Sequence, residues 1–144
     1  MSTPEPDELP PSIVWAGRVL KLFGLLVLAH FYVASFHEVG ATLPDLGFTH
    51  LLLVVAVVGQ KGLRHRARWA WITALLLAVG SLFFAAPITG TILLGGGTEP
   101  IGTGWDLFFF PCLTVMMLAL LGLLARAWKE TGREARERRE QAGG

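Results

Sequence analysis

Four strongly apolar, nearly charge-free runs separated by short polar breaks constrain this chain of 144 residues more than any motif in it. The cleanest are 69–86 and 107–125. At about 1.5 Å per residue, each reaches across a hydrocarbon core of roughly 30 Å with slight thinning or snorkelling at its ends. A third run, 22–36, carries only His30 as a strongly polar position and gains spanning length from the turns over 15–21. The fourth, 43–60, holds only Asp45, His50 and Gln60, with Asp45 in its first turn. Hydrophobic residues make up 53% of the chain, more than a soluble domain of this size could bury in one core. The expected fold is all-α: a four-transmembrane-helix bundle in one membrane domain over residues 13–128.

The basic residues set the expected orientation. Arg18 and Lys21 precede the first apolar core, Lys61, Arg64, Arg66 and Arg68 fill the second break, and Arg126, Lys129, Arg133, Arg136, Arg138 and Arg139 follow the fourth run. The other two breaks, 37–45 and 88–106, contain no base and hold the acids Glu38, Asp45, Glu99 and Asp106. Lys and Arg resist translocation, so both termini are expected in the cytoplasm and the acid-bearing loops outside, in a multi-pass protein of the cell membrane. The formal net charge of +1 conceals this partition. Trp15, Trp69, Trp71, Trp105 and Trp128 fall near the expected span ends, where indoles anchor at headgroup level, and Arg18 and Lys21 can snorkel to the same depth.

Residues 1–12, with four prolines among three acids, read as a disordered N-terminal tail. A signal peptide cleaved near Val33 and Ser35 competes with a first membrane span. The acidic, proline-rich start and His30 within the apolar core favour the uncleaved span. The charged tail over 129–144 places Glu134 and Arg138, and Arg136 and Glu140, at i,i+4 spacing, which supports a solvated helical extension. Its acids interleave with its bases and no aromatic stacking set accompanies them, so nucleic acid is not an expected partner.

The two acidic breaks share the pattern E-x-x-x-T-x-x-D-L-x-F, at Glu38, Thr42, Asp45, Leu46, Phe48 and again at Glu99, Thr103, Asp106, Leu107, Phe109. Thr followed three residues later by Asp resembles a capping box that would start each inward-running helix. Two independent caps account for this, and so does a duplicated two-helix hairpin. Pro44 falls in a first helical turn, Pro87 is expected to end or bend the third span, and Pro111 lies deeper in the fourth. Gly17, Gly24 and Gly80 mark helix faces that permit close approach.

Polar groups at membrane depth are the candidates for chemistry, because a central charge costs roughly 2.5 to 3.5 kcal/mol on insertion scales. His30 lies near the middle of the first span, with His37 two turns further on the same face and Glu38 beside it. His50 enters the second span about two turns from its start. The short connection makes the first two helices antiparallel neighbours, so His37, Glu38, Asp45 and His50 could converge near the outer surface. Such a set suits a divalent metal ion, a haem iron or a proton relay. No recognised ligand spacing occurs, however, and the favoured expectation is neutral histidines hydrogen-bonded to backbone or to a hydroxyl such as Thr49 or Ser81, with no cofactor. Glu99 and Asp106 complete the external acids.

Exclusions are firmer. Cys112 is the only cysteine, which rules out an internal disulfide, a C-x-x-C redox pair and quinone-coupled thiol oxidoreductases. No buried Lys is present for retinal, Gly95-Gly96-Gly97 lacks the Lys of a phosphate-binding loop, and Met116 and Met117 read as packing residues. The leading expectation is a non-enzymatic accessory or structural component of the membrane, partnered by the lipid bilayer and by other membrane helices or its own copies. The alternatives are a redox or metal-linked protein using His30, His37 and His50, and an oligomeric ion or proton transporter with the external acids at its mouth.

Overall fold

A computed structural model describes residues 9–37, 43–95 and 105–143, of which 34–37, 43–49, 134, 135, 138 and 143 are described as backbone only. Over these residues the chain forms α1 (Pro11–His37), α2 (Leu43–Arg64), α3 (Arg68–Leu93) and α4 (Asp106–Gly143), with no strand. Three helices, over Pro11–Val33, Arg68–Leu93 and Asp106–Arg133, are long and apolar enough to cross a membrane, and α2 is a further helix of 22 residues. Each helix packs on its sequence neighbour and α1 also packs on α4, with the α2–α3 contact the slightest of the four.

Helix boundaries refine the sequence reading. Pro11 opens α1 in the first-turn position where a missing amide costs nothing, and the Pro10 carbonyl accepts from the amides of Ile13 at 2.9 Å and Val14 at 3.3 Å. Ser12 and Ile13 are buried because this first turn docks on α4. There the Ser12 hydroxyl donates to one carboxylate oxygen of Glu130, and Arg126 Nε donates to the other at 2.9 Å. Pro87 does not end α3, which continues to Leu93; the proline is exposed and only the Phe83 carbonyl is deprived of its amide. α4 passes through Pro111 and runs on through the charged tail as one helix of 38 residues. The tail carries an i,i+4 pair of Arg133 and Glu137 at 3.8 Å. The expected Glu134–Arg138 pair involves side chains outside the described residues, and Arg136 and Glu140 are both exposed.

Of the two helix starts that carry the repeated acidic pattern, only that of α4 is described together with the residue before it. α2 begins at Leu43, which places Asp45 third in the helix as a capping box requires; Thr42 and the Asp45 side chain lie outside the described residues. α4 begins at Asp106, and the Trp105 carbonyl accepts from the amides of Phe108 at 3.0 Å and Phe109 at 2.8 Å. Trp105 therefore occupies the cap position of α4, and Asp106 stands first in the helix rather than third as a capping box requires.

Inside, the helices differ in residue size. α1 contributes Ile13, Leu20, Phe23 and Val27, and α4 contributes Phe109, Leu113, Met117, Leu120 and Leu124, at spacings of three and four residues that keep one face inward. α3 contributes small side chains: Ala70, Ala74, Ala78, Ala85 and Thr89. Thr114 donates its hydroxyl proton to the Phe110 carbonyl at 2.9 Å, so Thr89 is the donor in the Thr89–Thr114 bond, also 2.9 Å, that joins α3 to α4. Gly24 lets α1 approach α2, since a Cβ there would lie 3.0 Å from Leu53 Cδ1.

The α2–α3 turn is a tight reversal. Ala67 N donates to Gly62 O and Arg66 N to Leu63 O, both at 3.0 Å, the paired bonds of a Schellman ending. Arg66 occupies its left-handed position, at φ 52°, where glycine is the usual residue.

Candidate functional site

Of the histidines expected within spans, His30 is the one whose surroundings are described most fully. Phe23, Val27 and His30 follow each other at spacings of four and three residues, so α1 turns all three toward the interior. The start of α4 supplies the imidazole's neighbours. Trp105 Nε1–H donates to His30 Nδ1 at 3.1 Å. Phe109, one turn on, stacks on the same ring at a centroid distance of 3.9 Å and an interplanar angle of 21°. Phe110 meets it edge-on at 6.4 Å. Because Nδ1 accepts the indole proton, a neutral His30 carries its own proton on Nε2.

Beside this cluster lies a cavity of about 450 Å³ between the helices, walled mainly by Phe23, Val27, Phe84, Phe109, Phe110 and Leu113. His30 and Ser81 are its polar lining residues, and Gly80 forms part of its wall with nothing within 4 Å of where a Cβ would stand. The volume falls in the range of small-molecule sites, and the walls suit an apolar chain or ring. Ligation of a metal or haem iron through Nδ1 would break the bond from Trp105.

The remaining candidates are placed as follows. His50 is exposed on α2 and meets the Phe31 ring of α1 edge-on at 6.3 Å. His37 is the last residue of α1 and Asp45 the third of α2, but their side chains lie outside the described residues, as do Glu38 and Glu99 entirely. Asp106 is half-buried at the first position of α4. Among the described residues no three His, Cys, Asp or Glu side chains gather as a metal ion would require. The expected convergence of His37, Glu38, Asp45 and His50 therefore lies outside what is described. At Nδ1, His30 accepts from the indole of Trp105.

Trp105 and Phe109 are the site residues that sequence reasoning missed. Trp105 read as an interfacial anchor and Phe109 as the last position of the second acidic pattern. Their spacing of four residues, which puts both on one helix face, was the available signal, together with a lone imidazole that needed a donor or acceptor in an apolar span.

Compared with protein-family models, curated proteins and solved structures, the chain matches none.

Proposed function

We propose that this chain is a non-enzymatic component of the cell membrane, spanning it four times with both termini in the cytoplasm, and acting as an accessory to lipid and to other membrane helices. The observation that carries this reading is the inverted size pattern of α3. Its inward residues Ala70, Ala74, Ala78 and Ala85 are at most 2% exposed, whereas Ile72, Leu76, Phe83 and Phe84 are 60%, 67%, 77% and 71% exposed. In water this arrangement would leave the large apolar side chains solvated and bury the small ones. In lipid it has the opposite merit: small residues let helix backbones approach, and large ones meet acyl chains at no cost. The grouping of all twelve Lys and Arg at one end of the helices supports the orientation, and the short α2–α3 turn keeps Lys61 to Arg68 on the side of the tail.

Reporter fusions placed in the 64–67 turn and after residue 143 test the reading directly. Both are expected to report the cytoplasm, and the protein is expected to stay with the membrane through alkaline extraction. Reporters on opposite faces, or release without detergent, would overturn it. A Soret band or stoichiometric metal in the purified protein, lost on His30→Ala or His50→Ala, would replace it with the redox reading.

A further inference from the structure

At the basic end of α3 and α4, two cavities share a wall. The first, about 450 Å³, is lined by Arg66, Arg68, Trp71, Ile72, Trp128 and Thr131. The second, about 460 Å³, is lined by the same Trp71, Ile72 and Trp128, then by Leu75, Leu121, Leu124 and Ala125. One compartment thus has two guanidiniums at its rim and two indoles at its base, and it continues between α3 and α4 as a groove lined by apolar residues. Trp71 and Trp128 meet edge-on at 6.2 Å where the two join. From this continuity we infer that the paired cavities are a binding site for one anionic phospholipid, its phosphate at Arg66 and Arg68 and an acyl chain along Leu75, Leu121 and Ala125. The inference rests on the reading above that the basic end lies at the inner membrane surface.

Three features favour a phosphate-bearing lipid over a neutral one. A guanidinium offers five N–H donors in a fixed fork that fits phosphate oxygens, so Arg66 and Arg68 can serve a phosphate alongside protein partners. Arg68 is the first residue of α3, whose cap residue Ala67 makes no side-chain bond and whose first turn carries no acid, so neither cap nor first turn offsets the positive helix end there. Arg66 holds a left-handed backbone that glycine would adopt without strain, which makes sense if its side chain is needed at the rim. The Thr131 hydroxyl gives its proton to the carbonyls of Ala127 and Trp128, both at 3.0 Å, and leaves its oxygen as an acceptor only. Phosphate recognition therefore falls to the arginines.

The full-length protein in nanodiscs of phosphatidylcholine doped with phosphatidylglycerol, released into native mass spectrometry, provides the test. One phosphatidylglycerol per chain is expected to be retained in preference to phosphatidylcholine by roughly twenty- to thirtyfold, about fivefold for each arginine. Arg66→Gly with Arg68→Gln should abolish the preference. Arg66→Gly alone should lower it about fivefold while leaving the melting temperature unchanged or higher, because glycine suits that turn. Ala125→Phe, which fills the groove and leaves both arginines, should weaken retention as well; unchanged retention would mean that a free phosphate group suffices and would overturn the lipid assignment. Equal retention of the two lipids would also overturn it, as would a preference that survives loss of both arginines but disappears when Arg133, Arg136 and Arg139 become Gln. Each of these failures leaves the reporter-fusion result intact, so the site and the membrane orientation fall separately.

Discussion

A Cβ placed on Gly62, at the basic end of the helices, would lie 2.5 Å from the Ala70 Cβ and 2.7 Å from the Trp69 ring, whereas a Cβ on Gly80, further along α3, would meet nothing within 4 Å. The same small residue therefore has opposite uses in the two regions. Around Gly62 it lets α2 and α3 touch, with Leu63 fully buried and Ser12 tied to Glu130 nearby. Around Gly80 it leaves a cavity beside His30, and the nearby large side chains, Phe83 and the wall residue Phe84, are strongly exposed and do not fill it. Lipid is as apolar as leucine, so nothing drives helices together where their shapes do not match. Tight α2–α3 contact at Gly62, beside the cavities that part α3 from α4 at that end, and an opening at Gly80 follow from shape rather than from a difference in hydrophobicity.

The largest expected effect tests that contrast on α4. Leu120 is fully buried in the packed region, and Leu113 borders the cavity. Leu120→Ala should destabilise by about 2 kcal/mol, the lower end of the range known for water-soluble cores, because lipid outside removes most of the transfer contribution and leaves the void. Leu113→Ala should cost less than about half as much, since it only widens a space already open. Reversible unfolding in mixed micelles measures both, and equal losses would show that the surroundings of Leu113 are as closed as those of Leu120. Next in size, Gly62→Ala should lose about 1–2 kcal/mol, because its neighbour is an alanine Cβ that cannot swing aside. Gly80→Ala should instead gain about 0.5–1 kcal/mol through helix propensity alone. Should both glycines respond alike, the difference between the regions is not one of packing.

The apolar runs made the helices legible because span length and polarity are properties of the local sequence. Ends were less so. Pro87 was expected to end or bend α3, but an exposed proline deprives a single carbonyl of its bond, and six further residues of α3 continue past it. The tail over 129–144 reads as a solvated helical extension, and α4 does run on to Gly143, with Glu130 bonding back to α1. His30 was legible as a candidate from its type and depth, but its partner was not. Backbone or a hydroxyl such as Ser81 was the expected partner, while the donor to Nδ1, Trp105, lies 75 residues away and depends on how α1 crosses α4. Of the glycines singled out, Gly24 does mediate close approach and Gly80 does not, a distinction that only the helix pairing makes. The two cavities at the basic end are of the same kind: Arg66, Arg68 and Trp128 are far apart in sequence, and their shared wall exists only in the fold.

The smallest effect concerns the pair that marks the open region. Trp105→Phe keeps an aromatic ring at the start of α4 and removes the N–H that reaches His30 Nδ1. An interhelical hydrogen bond within a membrane contributes about 0.6 kcal/mol on average, so the loss should be of that order. His30→Phe should cost more, about 1 kcal/mol. It retains a ring to stack on Phe109 but leaves the indole donor without its acceptor in an apolar setting, where an unmade bond is worse than an absent one. The double substitution removes donor and acceptor together and should recover part of the second loss, a coupling that only a direct Trp105–His30 bond produces. Nitrogen chemical shifts of His30 give an independent reading: in the parent protein Nδ1 should resonate as an unprotonated acceptor, and in Trp105→Phe the two tautomers should mix. A protonated Nδ1 in the parent would mean that the imidazole faces a different partner, and the cavity beside it would then present a different polar group to whatever occupies it.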